Sequence, residues 1–211
     1  KALTSEQASS ITTDQVRALE TRDVAVLSSY QLNALSTAQV AVFQTNQVAA
    51  IASDALVGFG AGAVAALEST QVGALRTSQL NALTSDQVQA IETADLQGVT
   101  TANLQQLKTT SVAALTSDQV QSLSTSSVIA LTTSQVKALT SDQAFALTTD
   151  QVQALETVDV AVLSSYQLNA LSTAQVAAFQ TNQVAAIASE ALVGFGSGAV
   201  VALGIAQVGA L

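Results

Sequence analysis

The sequence predicts an all-α solenoid: a superhelical coil of single very short helices, one per eight-residue repeat. Three observations carry that expectation. First, one eight-residue phrase is repeated without insertion or deletion. Lys1-Ala2 close an incomplete copy, 26 full copies fill residues 3–210, and Leu211 opens another. Second, each position of the phrase keeps its own chemistry. Third, all 15 acidic residues fall where a helix would begin, the end at which the helix dipole favours negative charge.

Lettering Leu147 to Ala154 as a to h, position a is Leu, Ile, Val or Phe in every copy. Position f is Val or Leu in 24 of 26, the exceptions being Ala8 and Ala144, and h is usually Ala. Position c is Ser or Thr in 24 of 26, and e is mostly Gln. Positions b, d and g accept Glu, Lys, Arg, Tyr, Asn and Ala, as solvent-facing positions do. A single long helix is excluded by arithmetic. Eight residues advance about 2.2 turns, so the apolar stripe would rotate about 80° per copy and leave its face. The alternative, a β-solenoid, needs a two-residue alternation that a, f and h do not show. Ala and Gln are also poor strand formers.

Within one copy, the Ser or Thr at c is assigned as helix N-cap, its hydroxyl accepting from a backbone N–H one turn ahead. Position b is Ser or Thr in only 13 of 26 copies, which favours c. The competing register is a capping box from b to the Gln at e, with a and f as a hydrophobic staple. Asp14, Asp86, Asp118, Asp142 and Asp150 at d lie in the first turn, and Lys1, Arg17 and Lys137 at g lie near the helix end. Both placements suit the helix dipole. A helix of about six residues is unstable alone. Its stability must come from packing each octad on its neighbours through a, f and h, with two or three octads per turn of an elongated coil.

The 211 residues read as a single continuous array with a larger duplication laid over it. Residues 19–66 recur as 155–202, offset by 17 octads, and only five of the 48 positions differ. Each block ends in glycine-bearing copies, Gly58, Gly60 and Gly62 in the first and Gly194, Gly196 and Gly198 in the second. They are expected to form a local kink, with phenylalanine filling the extra space. The functional counterpart of that reading is a ligand or partner notch at Phe43, Phe59, Gly60, Gly62, Phe179, Phe195, Gly196 and Gly198.

Net charge is −9 and the six basic residues are scattered, so no nucleic-acid surface is expected. The longest run free of polar side chains, residues 55–67, is too short to span a bilayer. With neither His nor Cys, the usual base, thiolate and zinc ligands are missing. Ser, Thr and Asp abound without an oriented base for nucleophilic catalysis. Most octads carry at most one acid, too few for a calcium loop, and the G-x-G of residues 60–62 lacks a dinucleotide fingerprint. No catalytic, cofactor or metal residues are expected. Ice binding by the Thr rows is a lesser alternative, because the c hydroxyls are committed as caps. Tyr30 and Tyr166 are read as exposed surface aromatics. The chain does not begin with Met and reads as a window on a longer array, so its expected partners are neighbouring repeats of a parent chain and other copies, end to end or side by side.

Octads such as LTTDQVQA (147–154) and LTSDQV (115–120) resemble the octapeptide arrays of very large bacterial proteins labelled as adhesins or haem-utilisation proteins. The resemblance covers the whole chain and implies a cell-surface or secreted setting. It brings no catalytic or ligand residues. The function expected is therefore a structural spacer or stalk without catalysis. A binding module acting through the Phe/Gly octads is the alternative.

Overall fold

The protein is described here by a computed structural model covering residues 3–211. The placement of Lys1 at a helix end lies outside the described residues. Among those described there are 23 α-helices of four to six residues, three 3-10 turns and no strand. The fold is an all-α solenoid, which overturns the β-solenoid alternative. The chain forms two compact units, the first ending at Leu107 and the second running from Lys108 to Leu211.

The octad divides into six helical residues and two extended ones. After helix Thr149–Ala154, Leu155 takes φ −59° and ψ 134°, and Glu156 takes φ −70° and ψ 153°. Two extended residues turn the chain between successive helices. Among the described residues none has positive φ, so the bend needs neither glycine nor proline. Before it bends away, position a ends nearly every helix with a tightened hydrogen bond, as Leu155 N donates to Val152 O at 3.3 Å.

The cap sits at b, not at c. At all 13 copies with Ser or Thr at b, its hydroxyl accepts from the N–H of residue e. The reason is geometric. Residue b is extended, so its side chain turns forward over the first helical turn, whereas c is already the first helical residue. Charge placement holds in this register. Asp14, Asp86, Asp118, Asp142 and Asp150 occupy first turns, and Arg17 and Lys137 occupy last turns.

Helices stack on the helix three octads away in each unit. In the first, Ser5–Ser10 packs on Ser29–Asn33, Thr21–Val24 on Thr45–Ala50, and Ala61–Ala65 on Ser85–Ala90. In the second, Ser117–Ser122 packs on Ser141–Ala146, which packs on Ser165–Ala170. Three octads therefore make one turn of each unit's coil. Residues a and f are its core: Val16, Val48, Val136 and Val152 at f are fully buried, and Ile51, Leu75, Leu139 and Leu155 at a are nearly so. Burying one such side chain stabilises by about 1.5–3 kcal/mol.

The glutamine at e ties each turn to the preceding one. Gln151 is buried, and its Oε1 accepts from its own cap residue, Thr148 N, at 2.8 Å. Its Nε2 donates to Val120 O at 3.0 Å and Leu123 O at 2.7 Å. Gln79 repeats the pattern in the first unit, accepting from Arg76 N and donating to Val48 O and Ile51 O, both at 2.8 Å. The bond to the N–H of b forms even where b has no hydroxyl, as at Gly204. Each amide thus joins the start of its own helix to the end of a helix one turn back. Among the described residues, no helix is long and apolar enough to cross a membrane.

Gln151→Ala orphans the Thr148 N–H and the Leu123 carbonyl, so it should lower stability by about 2–4 kcal/mol. Thr148→Ala removes only the cap hydroxyl and should cost about 1 kcal/mol. Urea unfolding followed by circular dichroism checks both; equal costs would count against the glutamine's bridging role.

Candidate functional site

Three glycine-bearing copies depart from the rule at position e and from the α-helix. There Ala55, Asp95 and Ala191 replace glutamine, and the helix gives way to the 3-10 turns Leu56–Gly58, Asp95–Gly98 and Leu192–Gly194. Each tighter turn sets the glycine at h against the preceding turn of the coil. A Cβ on Gly58 would lie 2.0 Å from Ser29 O, one on Gly98 2.0 Å from Ser69 O, and one on Gly194 2.1 Å from Ser165 O. Gly73 faces Gly98 in turn, its Cβ falling 2.6 Å from Gly98 O. These glycines permit backbone to touch backbone. Their φ values are ordinary.

The eight residues expected to form a notch separate into two sets. Phe43, Phe59 and Phe179 are buried and Phe195 is half-buried, all at core position a. Their rings are core side chains, and three of their carbonyls belong to the ladder. Gln71 Nε2 donates to Phe43 O at 2.7 Å, Gln87 Nε2 to Phe59 O at 2.6 Å, and Gln207 Nε2 to Phe179 O. Gly60, Gly62, Gly196 and Gly198 are exposed. A Cβ on Gly60 or Gly196 would meet nothing within 4 Å. The rings thus lie in or at the edge of the core and the glycines at the surface.

Two residues escaped the sequence reading. Phe145 stands at g, 61% exposed, beside an open groove lined by Ser117, Asp118, Gln121, Thr149 and Ser172. Its signal was a bulky aromatic at an outward position, next to the rare Ala144 at f. The other is Asp159, read as one more acid at a helix start. It occupies position e, where a ladder glutamine would stand, and is 2% exposed. Its Oδ1 is buried without a hydrogen-bond partner. Burial pushes its carboxyl above the usual value, a hydrogen bond from the Thr133 side chain opposes the shift, and the charge of Glu156 adds to it. Tyr30 and Tyr166 are exposed, as expected. The ion pairs Arg17–Asp14 and Arg22–Glu20 are exposed and contribute little. Among the described residues, no three acidic side chains gather as a metal site.

The sequence model of one family, the ALTTAQ repeat, matches residues 16–53, 62–90, 88–125, 128–157 and 152–189, together most of the chain. No curated protein matches it.

Two glycine substitutions distinguish the roles assigned above. Gly58→Ala forces its new methyl into Ser29 O and should cost about 1–3 kcal/mol, as overpacking does. Gly62→Ala adds a methyl 3.8 Å from Thr37 Cγ2, an ordinary contact, and should stabilise by about 0.5–1 kcal/mol through helix propensity. Thermal melts read both, and matching shifts would refute the close-approach argument.

Proposed function

The chain belongs to the ALTTAQ repeat family, and from that premise we propose that it is a structural spacer or stalk segment of a large bacterial surface or secreted protein, without catalysis. One observation carries this reading. The same few interactions recur octad after octad, and the exceptions are accommodated within the frame and not gathered into a site. A segment of this kind gains or loses whole octads without losing its fold, because each copy depends only on near neighbours. The duplicated blocks, 17 octads apart, support that tolerance. Contact between copies of the chain is part of the same reading.

The second reading is recognition of a ligand or partner by the Phe/Gly octads. Its support is the bare backbone that Gly60, Gly62, Gly196 and Gly198 expose at matching places of both blocks.

Pulled from its ends, a spacer with only near-neighbour contacts should lengthen in many small steps. Each step should release one to three octads, roughly 30–85 Å of extended chain. Single-molecule force traces test this, and a single all-or-none rip would exclude the spring-like spacer.

A further inference from the structure

Asn103 and Asp159 each put a short polar side chain at position e. Around Asn103 the geometry is complete. Thr77 Oγ1 donates to its Oδ1 at 3.0 Å, and its Nδ2 donates to Leu75 O at 3.2 Å. Asp159 stands in the same frame with a side chain of the same length. Thr133 lies 26 residues back, as Thr77 does from Asn103, and its hydroxyl serves the carboxyl in the same way. Leu131 lies 28 residues back, where Asn103 has Leu75. One group differs: where Asn103 has an NH2, Asp159 has an oxygen. That oxygen, Oδ1, is buried and unpartnered. Among the turn and loop backbone bonds of the described residues, none runs to the Leu131 carbonyl.

A buried acceptor that receives no hydrogen is costly, and by analogy with Asn103 and Leu75 the Leu131 carbonyl is the acceptor this short side chain reaches. One proton satisfies both the carboxyl oxygen and that carbonyl. We propose that Asp159 carries a proton in the folded chain and donates it to the Leu131 carbonyl, so that acid tightens this turn of the second unit and ionisation loosens it. The neighbouring charges leave the carboxyl unpaired. Glu156, on its own octad, is like-charged. Helix Thr133–Ala138, packed on one side, carries Lys137 exposed in its last turn, and helix Thr181–Ala186, packed on the other, has no ionisable residue. The flanking helices Thr149–Ala154 and Ser165–Ala170 carry Asp150 and Tyr166, both exposed.

The sign follows from linkage. Burial holds the folded carboxyl above its ordinary value of 3.8. Its contribution is therefore whole below about pH 3.8 and is lost as pH rises through the folded value.

Urea unfolding of the full chain and of Asp159→Asn, from pH 3 to pH 8, tests the proposal, with the amide serving as a permanent donor. The ratio of their unfolding constants, wild type over variant, should climb about tenfold per pH unit inside that window and then level. A ratio constant across the range overturns it. The carboxyl-carbon NMR titration of Asp159 in the unaltered chain decides independently, even if the variant folds poorly. A midpoint above the ordinary value supports the proposal, and one at or below it refutes the proposal.

Discussion

A helix of six residues is nearly all ends. Its first four N–H groups and last four carbonyls have no partner within it, so almost nothing in it is satisfied by the helix alone. The whole structure depends on one side chain that answers this problem at both ends. The glutamine amide offers an acceptor and a donor a fixed distance apart. In Gln151 the acceptor closes the start of its own helix at Thr148 N, and the donor closes a helix end one turn back at Val120 O and Leu123 O. Because the amide is buried, the bonds are strong and their loss is costly. The same bonds set the coil, since reaching residues 28 and 31 back fixes three octads per turn.

The exceptions show how the frame survives without that amide. Where alanine or aspartate replaces it at residues 55, 95 and 191, the helix tightens to a 3-10 turn and glycine lets two backbones meet. Asn103 keeps one donor bond with a shorter arm. Asp159 keeps the arm and loses the hydrogen. At the first of the 3-10 turns the apolar core at a and f continues, with Phe59 and Leu56 as buried as their counterparts elsewhere, whereas Val99, Leu192 and Phe195 at the other two are half-buried. Packing holds the array together, and the polar ladder fixes its register.

Much of this was legible in the sequence. The octad frame, the short helices, the a and f core and the acids at helix starts follow from periodicity and from the helix dipole. The cap register did not follow, because a cap residue and the first helical residue are neighbours and the more regular Ser/Thr position was the wrong one. The hydroxyls at c face the next turn in places, as Thr77 does toward Asn103, and such a partner is invisible in one octad. For the same reason the glutamine at e is legible from one octad only as the partner of b in the competing capping box, and its reach to the preceding turn is not. The notch residues were noticed for their rarity, yet at position a the rings had only the core to occupy. Asp159 was hidden by its own plausibility: an acid in a first helical turn needs no other explanation until its burial is seen.

The most direct test is whether the ladder amides are engaged in solution. In protein labelled at glutamine side chains, the Nε2 protons of Gln151 should exchange slowly with solvent. They should also show nuclear Overhauser contacts to Val120 and Leu123, 31 and 28 residues earlier. Fast exchange with averaged shifts, or contacts displaced by a whole octad from those residues, would contradict a coil of three octads per turn held by glutamine.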